Sequence, residues 1–236
     1  MDFREIILLI IVLAGMYGAV TFRKLSIAGS VSGGIITFFI YCGAGVGGFI
    51  SMSSFFVMAT LATSYRRSVK QRFLQTSHQP RDAFQVWANA GIAALAGVVS
   101  FFSDHHLVII IIYSVLSSAS ADTISSEMGM VHGKKFFNIL DFQPAKKGDN
   151  GVVSLEGTAW GLLASVVIGS IYVLIHGFNT VFFIIIIAGM MGNLFDSLLG
   201  ATLERDGKLG NNAVNFLNTC FASVIAVLLY GLLPLS

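Results

Sequence analysis

Eight apolar runs dominate this chain and leave it little choice of environment. They lie at roughly 5–22, 26–42, 45–64, 84–102, 106–126, 155–176, 178–203 and 212–233. A helix needs about 20 apolar residues, within a range of roughly 17 to 25, to cross the hydrocarbon core. Soluble domains carry about 25% charged residues, whereas this chain has 11%, against 55% hydrophobic. Water cannot accommodate so much apolar surface. The pattern predicts an all-α, polytopic membrane protein with eight transmembrane helices, folded as a single integral membrane domain over residues 1–236. The second and third runs fit two crossings only if Gly43–Gly48 makes the turn. The N-terminus reads as a retained first helix rather than a signal peptide. Cys42 and Cys220 both fall in apolar runs and imply no disulfide framework.

The cations check the count. Arg23 and Lys24 follow the first run. Arg66, Arg67, Lys70, Arg72 and Arg81 follow the third, and Lys134, Lys135, Lys146 and Lys147 follow the fifth. Arg205 and Lys208 follow the seventh. Thirteen of the fourteen Lys and Arg thus fall on one side, with only Arg4 on the other. The positive-inside rule makes that side cytoplasmic. This predicts an N-out, C-out protein of the cytoplasmic (inner or plasma) membrane. The outward loops are short, and His105, His106 and His176 read as interfacial polar residues rather than metal ligands.

Polar groups converge at the cytoplasmic ends. Asp122 ends the fifth run inside an otherwise apolar segment, and Asp196 lies near the end of the seventh. Intramembrane carboxylates are costly and mark function by default. Arg81, Gln85 and Asn89 recur at i, i+4 and i+8 and share one helix face. Asn193, Asp196, Gly200 and Glu204 form a second stripe. Ser154, Glu156 and Thr158 open the sixth run, and Asn211, Asn212, Asn215 and Asn218 open the eighth. Glu127 is five residues from Asp122; either the helix breaks near Ser126 or the two carboxylates have different roles. The loop Lys146-Lys147-Gly148-Asp149-Asn150-Gly151-Val152-Val153-Ser154 leads into a helix N-terminus. Glycines, lysines and a helix dipole together suit a phosphate. Carboxylates beside such a loop suggest Mg2+ on phosphate oxygens. No Walker A, zinc or serine-nucleophile motif is present. A weak parallel repeat of helix pairs, Asp122-Thr123 against Asp196-Ser197, is as readily explained by chance.

Several segments resemble a known family. They are Arg81–Gly91, Ala121-Asp122-Thr123 with Ser126–Gly129, Gly148–Ser154 with Gly157-Thr158, and Asp196–Ala201. Their order and content are similar to the integral membrane family called domain of unknown function ninety-two, which includes eukaryotic transmembrane protein nineteen and the plant phytyl-phosphate kinase. The resemblance implies a nucleotide-dependent kinase, favouring CTP, that converts a prenyl monophosphate such as phytyl or geranylgeranyl phosphate to the diphosphate. Asp122, Asp196, Lys146 and Lys147 are the catalytic residues so implied, with Asp122, Asp196 and Glu127 holding Mg2+. Arg81, Gln85, Asn89, Gly148, Asp149, Gly151, Ser154, Glu156 and Asn215 would bind substrate or nucleotide. A looser likeness runs to dolichol kinase and phosphatidate cytidylyltransferase, through Asp122, Gly133-Lys134, Lys146 or Lys147, and Glu156-Gly157. Where family members often have Gly-Thr-Asp-Gly, this chain has Gly148-Asp149-Asn150-Gly151. Two alternatives stand beside the kinase: a CTP-dependent cytidylyltransferase acting on a lipid phosphate, and a non-enzymatic transporter or lipid-binding protein. Expected partners are membrane lipid, a prenyl phosphate and a nucleotide, with no nucleic acid. Gly29-x-x-x-Gly33 and Gly43-x-x-x-Gly47 suit either a homodimer face or internal packing.

Overall fold

A computed structural model describes residues 3–71, 73, 79–103 and 105–233. Arg72, part of the loop 65–83 and Asp104 lie outside the described residues. The elements are α1 (Phe3–Thr21), α2 (Ile27–Ser64), α3 (Arg67–Lys70), α4 (Ala83–Val99), α5 (His105–His132), β1 (Phe137–Asn138), β2 (Val152–Val153), α6 (Leu155–His176), α7 (Val181–Leu199) and α8 (Asn211–Leu232). Among the described residues, five helices are long and apolar enough to cross a bilayer, and two shorter apolar segments, Glu5–Thr21 and Ala83–Val99, accompany them. The protein is an all-α, multi-pass membrane protein.

The helix α2 spans 38 residues yet reverses direction. Gly45 sits at φ 57°, ψ −148°, outside the helical region and at a φ that favours glycine. A Cβ added at Gly48 would strike the Cβ of Ala44 and the carbonyl of Ile40, a closeness that only a doubled-back chain permits. At the far end Lys24 Nζ donates to Ser64 Oγ at 2.8 Å, bringing the start and finish of α2 together. The two halves therefore run antiparallel, with the turn inside the expected Gly43–Gly48 stretch. Each half has 18 or 19 residues, or about 27 Å at 1.5 Å per residue.

The helix α5 is the axis of the bundle. It packs against α2, α4, α6, α7 and α8. Ile110, Ile112, Tyr113, Val115, Leu116 and Ala119 are fully buried, as are Ser114, Ser117, Ser118 and Ser120 between them. A helix closed in all round needs small residues so that its neighbours can approach. Three of the four glycines that could have marked a dimer face pack internally, Gly29 on Arg81 and Asp82, Gly43 on Gly97 and Ile112, and Gly47 on Tyr113 and Ile175, whereas Gly33 faces open space. By contrast, α1 packs on α2 alone among its substantial neighbours. His176 stacks on Tyr172, with ring centroids 4.7 Å apart, and His106 on Tyr230 at 6.5 Å.

Candidate functional site at the polar end of the bundle

The carboxylates come first. Asp122 on α5 and Asp196 on α7 line one chamber, near enough for their carboxyl groups to interact. Asn218 Nδ2 on α8 donates to Asp196 Oδ2 at 2.9 Å, and Ser118 Oγ donates to Asn218 Oδ1 at 2.8 Å. Asn218 is fully buried, so this relay fixes the orientation of Asp196. A parallel relay joins Ser125 Oγ to Asn193 Oδ1 at 2.9 Å. Beyond Leu199 the helix widens into a π-turn over Gly200–Glu204, closed by Arg205 N–H on the Gly200 carbonyl at 3.2 Å. Such turns often mark functional sites. This one brings Glu204 to the same chamber as Asp196.

Two cavities meet here. One, of about 480 Å3, is lined by α1, both halves of α2 and the start of α4; its walls include Met16, Gly33, Phe49 and Phe56. Its polar end holds Arg81, Gln85, Asn89, Glu127 and Asn215. The other, of about 260 Å3, is framed by Gly148–Ser154, Gly157 and Thr158 on one side and by Asn193, Asp196, Gly200 and Glu204 on the other. Asp122, Ser126 and Asn211 line both. Asp122 is therefore part of the wall between an apolar chamber and a polar one.

Local structure positions the polar end of the larger cavity. Arg81 is pinned by its backbone: its carbonyl accepts from Ser26 N–H at 3.0 Å and its N–H donates to the Lys24 carbonyl at 3.1 Å. Its guanidinium donates to Thr63 Oγ1 at 3.0 Å and the Ala59 carbonyl at 3.5 Å. Burial pulls that group below its ordinary pKa, and Glu127 offsets part of the pull. Gln85 closes a capping box with Asp82, and Asn89 Nδ2 donates to the Gln85 carbonyl at 2.8 Å.

The smaller cavity owes its floor to a short hairpin. Phe137 pairs with Val153 and Asn138 with Val152. Ile139 N–H donates to the Gly151 carbonyl at 3.1 Å. Gly151 has φ 73° and lies so close to Ala201 that any Cβ would strike its backbone. Ser154 caps α6, its Oγ accepting from Gly157 N–H at 3.1 Å.

Not every expected residue reaches a cavity. The helix α5 runs unbroken to His132, so Asp122 and Glu127 diverge. Glu127 instead forms an ion pair with Lys70, on the side of the larger cavity. Lys146 is exposed and lines neither cavity. Lys147 lines neither, and its ammonium lies over the rings of Phe73 at 4.6 Å and Phe136 at 5.3 Å. Glu156 accepts from Lys134 N–H at 3.3 Å and also lies outside both. Asn215 faces the larger cavity. Lys70 was not singled out by sequence, and Asn193, Asn218 and Glu204 stood among the converging polar groups without an assigned role. For the last three, helical spacing from Asp196 and the run of asparagines opening α8 carried the signal.

Among the described residues neither Asp122 nor Asp196 forms an ion pair, and no group of three His, Cys, Asp or Glu is placed to hold a metal. Two carboxyls that line one chamber favour a cation between them. The donors are hard oxygens, and Mg2+ commonly takes one or two carboxylates with substrate phosphates completing its shell. Asp122 and Asp196 fit that ion; Glu127, already matched by Lys70, does not join them.

These features define a multi-pass membrane protein whose polar end offers paired carboxylates to two cavities of opposite character. The chain belongs to the family described as integral membrane protein DUF92, which it matches over residues 10–223. It is similar to an uncharacterized membrane protein of Methanocaldococcus jannaschii, 32% identical over 208 residues that cover 88% of this chain and 87% of that protein. It is also similar to Protein VTE6, chloroplastic, of Arabidopsis thaliana, 27% identical over 196 residues, covering 78% of this chain and 59% of that protein. An uncharacterized membrane protein of Synechocystis is 30% identical over 197 residues, covering 80% of this chain and 76% of its own length. No solved structure matches the chain.

Proposed function

We propose that the protein is a nucleotide-dependent kinase, using CTP, that phosphorylates a prenyl monophosphate to the diphosphate at the cytoplasmic face of the membrane. The observation that carries this reading is the position of Asp122, which lines both cavities. A two-substrate transfer needs an apolar place for a lipid tail, a polar place for a nucleotide and a shared wall where their phosphates meet. The family resemblance supplies the substrate class. In this reading the chain crosses the membrane eight times, N-out and C-out, with α2 counting as two crossings.

The acceptor tail lies between α1 and the two halves of α2, and its phosphate reaches Arg81, Gln85, Asn89 and Asn215. Arg81, already held by Thr63 and Ala59, keeps further N–H donors for phosphate oxygens. The nucleotide phosphates lie along Gly148–Ser154 at the N-terminus of α6, where backbone N–H groups and the helix dipole favour anions. An oxygen of the acceptor monophosphate attacks the terminal phosphorus of the nucleotide. One P–O bond forms, the bond to the β-phosphate oxygen breaks, and nucleoside diphosphate leaves. The acceptor's second pKa is near 6, so at neutral pH it attacks as a dianion and no general base is needed. Mg2+ bound by Asp122 and Asp196 would neutralise charge on the phosphate oxygens. Asn218 and Ser118 hold Asp196 in place for that work.

The test is the full-length protein in nanodiscs with CTP, Mg2+ and geranylgeranyl or phytyl monophosphate. The expected products are the prenyl diphosphate and CDP. Release of pyrophosphate with a CDP-lipid would transfer the site to a cytidylyltransferase. No turnover with any nucleotide refutes the kinase.

A further inference from the structure

Gly15 and Gly33 line the larger cavity. An added Cβ at Gly15 would meet nothing within 4 Å, and one at Gly33 only Leu25 Cδ1 at 4.0 Å. A side chain at either position therefore has open space before it. Thr37 lines the same wall as Gly33, four residues deeper, and Ile11 and Phe49 also line the cavity, on α1 and on the second half of α2. Gly29, against Arg81 and Asp82, marks the level of the polar mouth. At 1.5 Å per residue, Gly33 is about 6 Å below that level and Thr37 about 12 Å. An extended chain advances roughly 3.5 Å per three bonds. Gly33 thus falls about five bonds below the mouth and Thr37 about ten.

We infer that this cavity is a length gauge for the acceptor's tail, with Gly33 and Thr37 as specificity-determining positions at the end of the first isoprene unit and near the third. The inference rests on the proposed acceptor, a prenyl monophosphate. Selection is steric. A tail that leaves the bilayer for an apolar cavity exchanges one apolar environment for another, so burial adds little affinity. Width and depth decide which tails fit, while Arg81 holds the phosphate.

The test reads binding without nucleotide, so that it stands apart from catalysis. Full-length wild type, Gly33→Leu and Thr37→Phe in nanodiscs are titrated with labelled geranylgeranyl monophosphate, competed by dimethylallyl and geranyl monophosphates. Gly33→Leu is expected to shift preference toward the dimethylallyl compound at least tenfold over both longer ones. Thr37→Phe is expected to shift preference toward the two shorter compounds at least tenfold over geranylgeranyl. Equal losses at all three lengths in both variants, or no loss in either, overturn the gauge. Length-graded binding without transfer in the wild type sustains the gauge and refutes the kinase. Transfer without length grading refutes the gauge alone. Absence of binding by any of the three to wild type overturns both.

Discussion

Lys70 offers the sharpest test of how the polar end is held. Its side chain is fully buried, and that of Glu127 is 15% exposed. Besides the ion pair with Glu127, Lys70 Nζ donates to the Ala62 carbonyl at 2.7 Å and the Thr63 carbonyl at 2.9 Å. These lie in the last turn of α2, where helix carbonyls lack intrahelical partners and a cation is favoured by the dipole. Replacing Lys70 by Met strands the Glu127 carboxylate and the Thr63 carbonyl, while the Ala62 carbonyl keeps the Tyr65 N–H at 3.2 Å. Breaking a buried pair from one side costs about 3–5 kcal/mol. The partial exposure of Glu127 and the proximity of Arg81 place the expected loss near the lower end, about 3 kcal/mol. For a chain of this length that is about 6–12 °C in melting temperature. Glu127→Gln leaves Lys70 its two carbonyl acceptors, and about 1–2 kcal/mol is expected. The double variant Lys70→Met, Glu127→Met removes both charges and is expected to recover to within about 1 kcal/mol of wild type. The assay is thermal melting of the detergent-solubilised protein followed by size exclusion, run as a double-mutant cycle. Additive single losses, with no recovery in the double variant, would refute a coupled pair. Turnover adds a second readout. In Lys70→Met, Arg81 is the remaining cation beside Glu127, so the KM for the acceptor is expected to rise more than kcat falls.

Three further outcomes follow from the same geometry. Asp122→Asn and Asp196→Asn are each expected to lower phosphoryl transfer by about 10²-fold or more without lowering the melting temperature, since each removes one of two apposed acids; an unfolded variant would indicate a structural role instead. Gly151→Ala is expected to cost more than the roughly 1–3 kcal/mol of backbone strain alone, because the new Cβ meets Ala201, and to weaken nucleotide binding more than acceptor binding in separate titrations. Gly45→Ala meets no neighbouring atom, so its expected cost is on the order of 1–3 kcal/mol of strain only, read as a modest drop in melting temperature with acceptor and nucleotide affinities unchanged.

Long-range order at the polar end was legible wherever the membrane itself supplied the coordinate. Lys and Arg placement set which helix ends share a level, and that was enough to bring Asp122 and Asp196 to one depth before any contact was known. The glycine run Gly43–Gly48 announced the reversal of α2, since two crossings fit between Ser26 and Ser64 in no other way. Lys70 was invisible by the same logic. Its partner lies 57 residues away, and a buried cation in a basic loop has the same sequence pattern as a solvated one. Lys146 and Lys147 lie off the two cavities for a different reason. A Gly-Lys run reads as a phosphate cradle, but Lys147, in the loop between β1 and β2, lies over the rings of Phe73 and Phe136, a tertiary contact that composition does not encode. The larger cavity lies against the two halves of α2, where glycines suit a lipid tail, but α1 reads simply as an apolar helix, and its part in leaving a hollow there is set by tertiary packing.

That hollow bears on what concentration means for this protein. A ligand that reaches Gly33 and Phe49 travels laterally within the bilayer, and its abundance is a mole fraction of lipid. A ligand that reaches Gly151 and Ser154 arrives from the aqueous phase, and its abundance is a molarity. Diluting vesicles at fixed lipid composition should therefore leave saturation of one chamber unchanged. Adding inert lipid at fixed volume should empty that chamber and spare the other. Under the proposed reaction the two substrates would obey two-dimensional and three-dimensional encounter laws on opposite sides of a single carboxylate, Asp122.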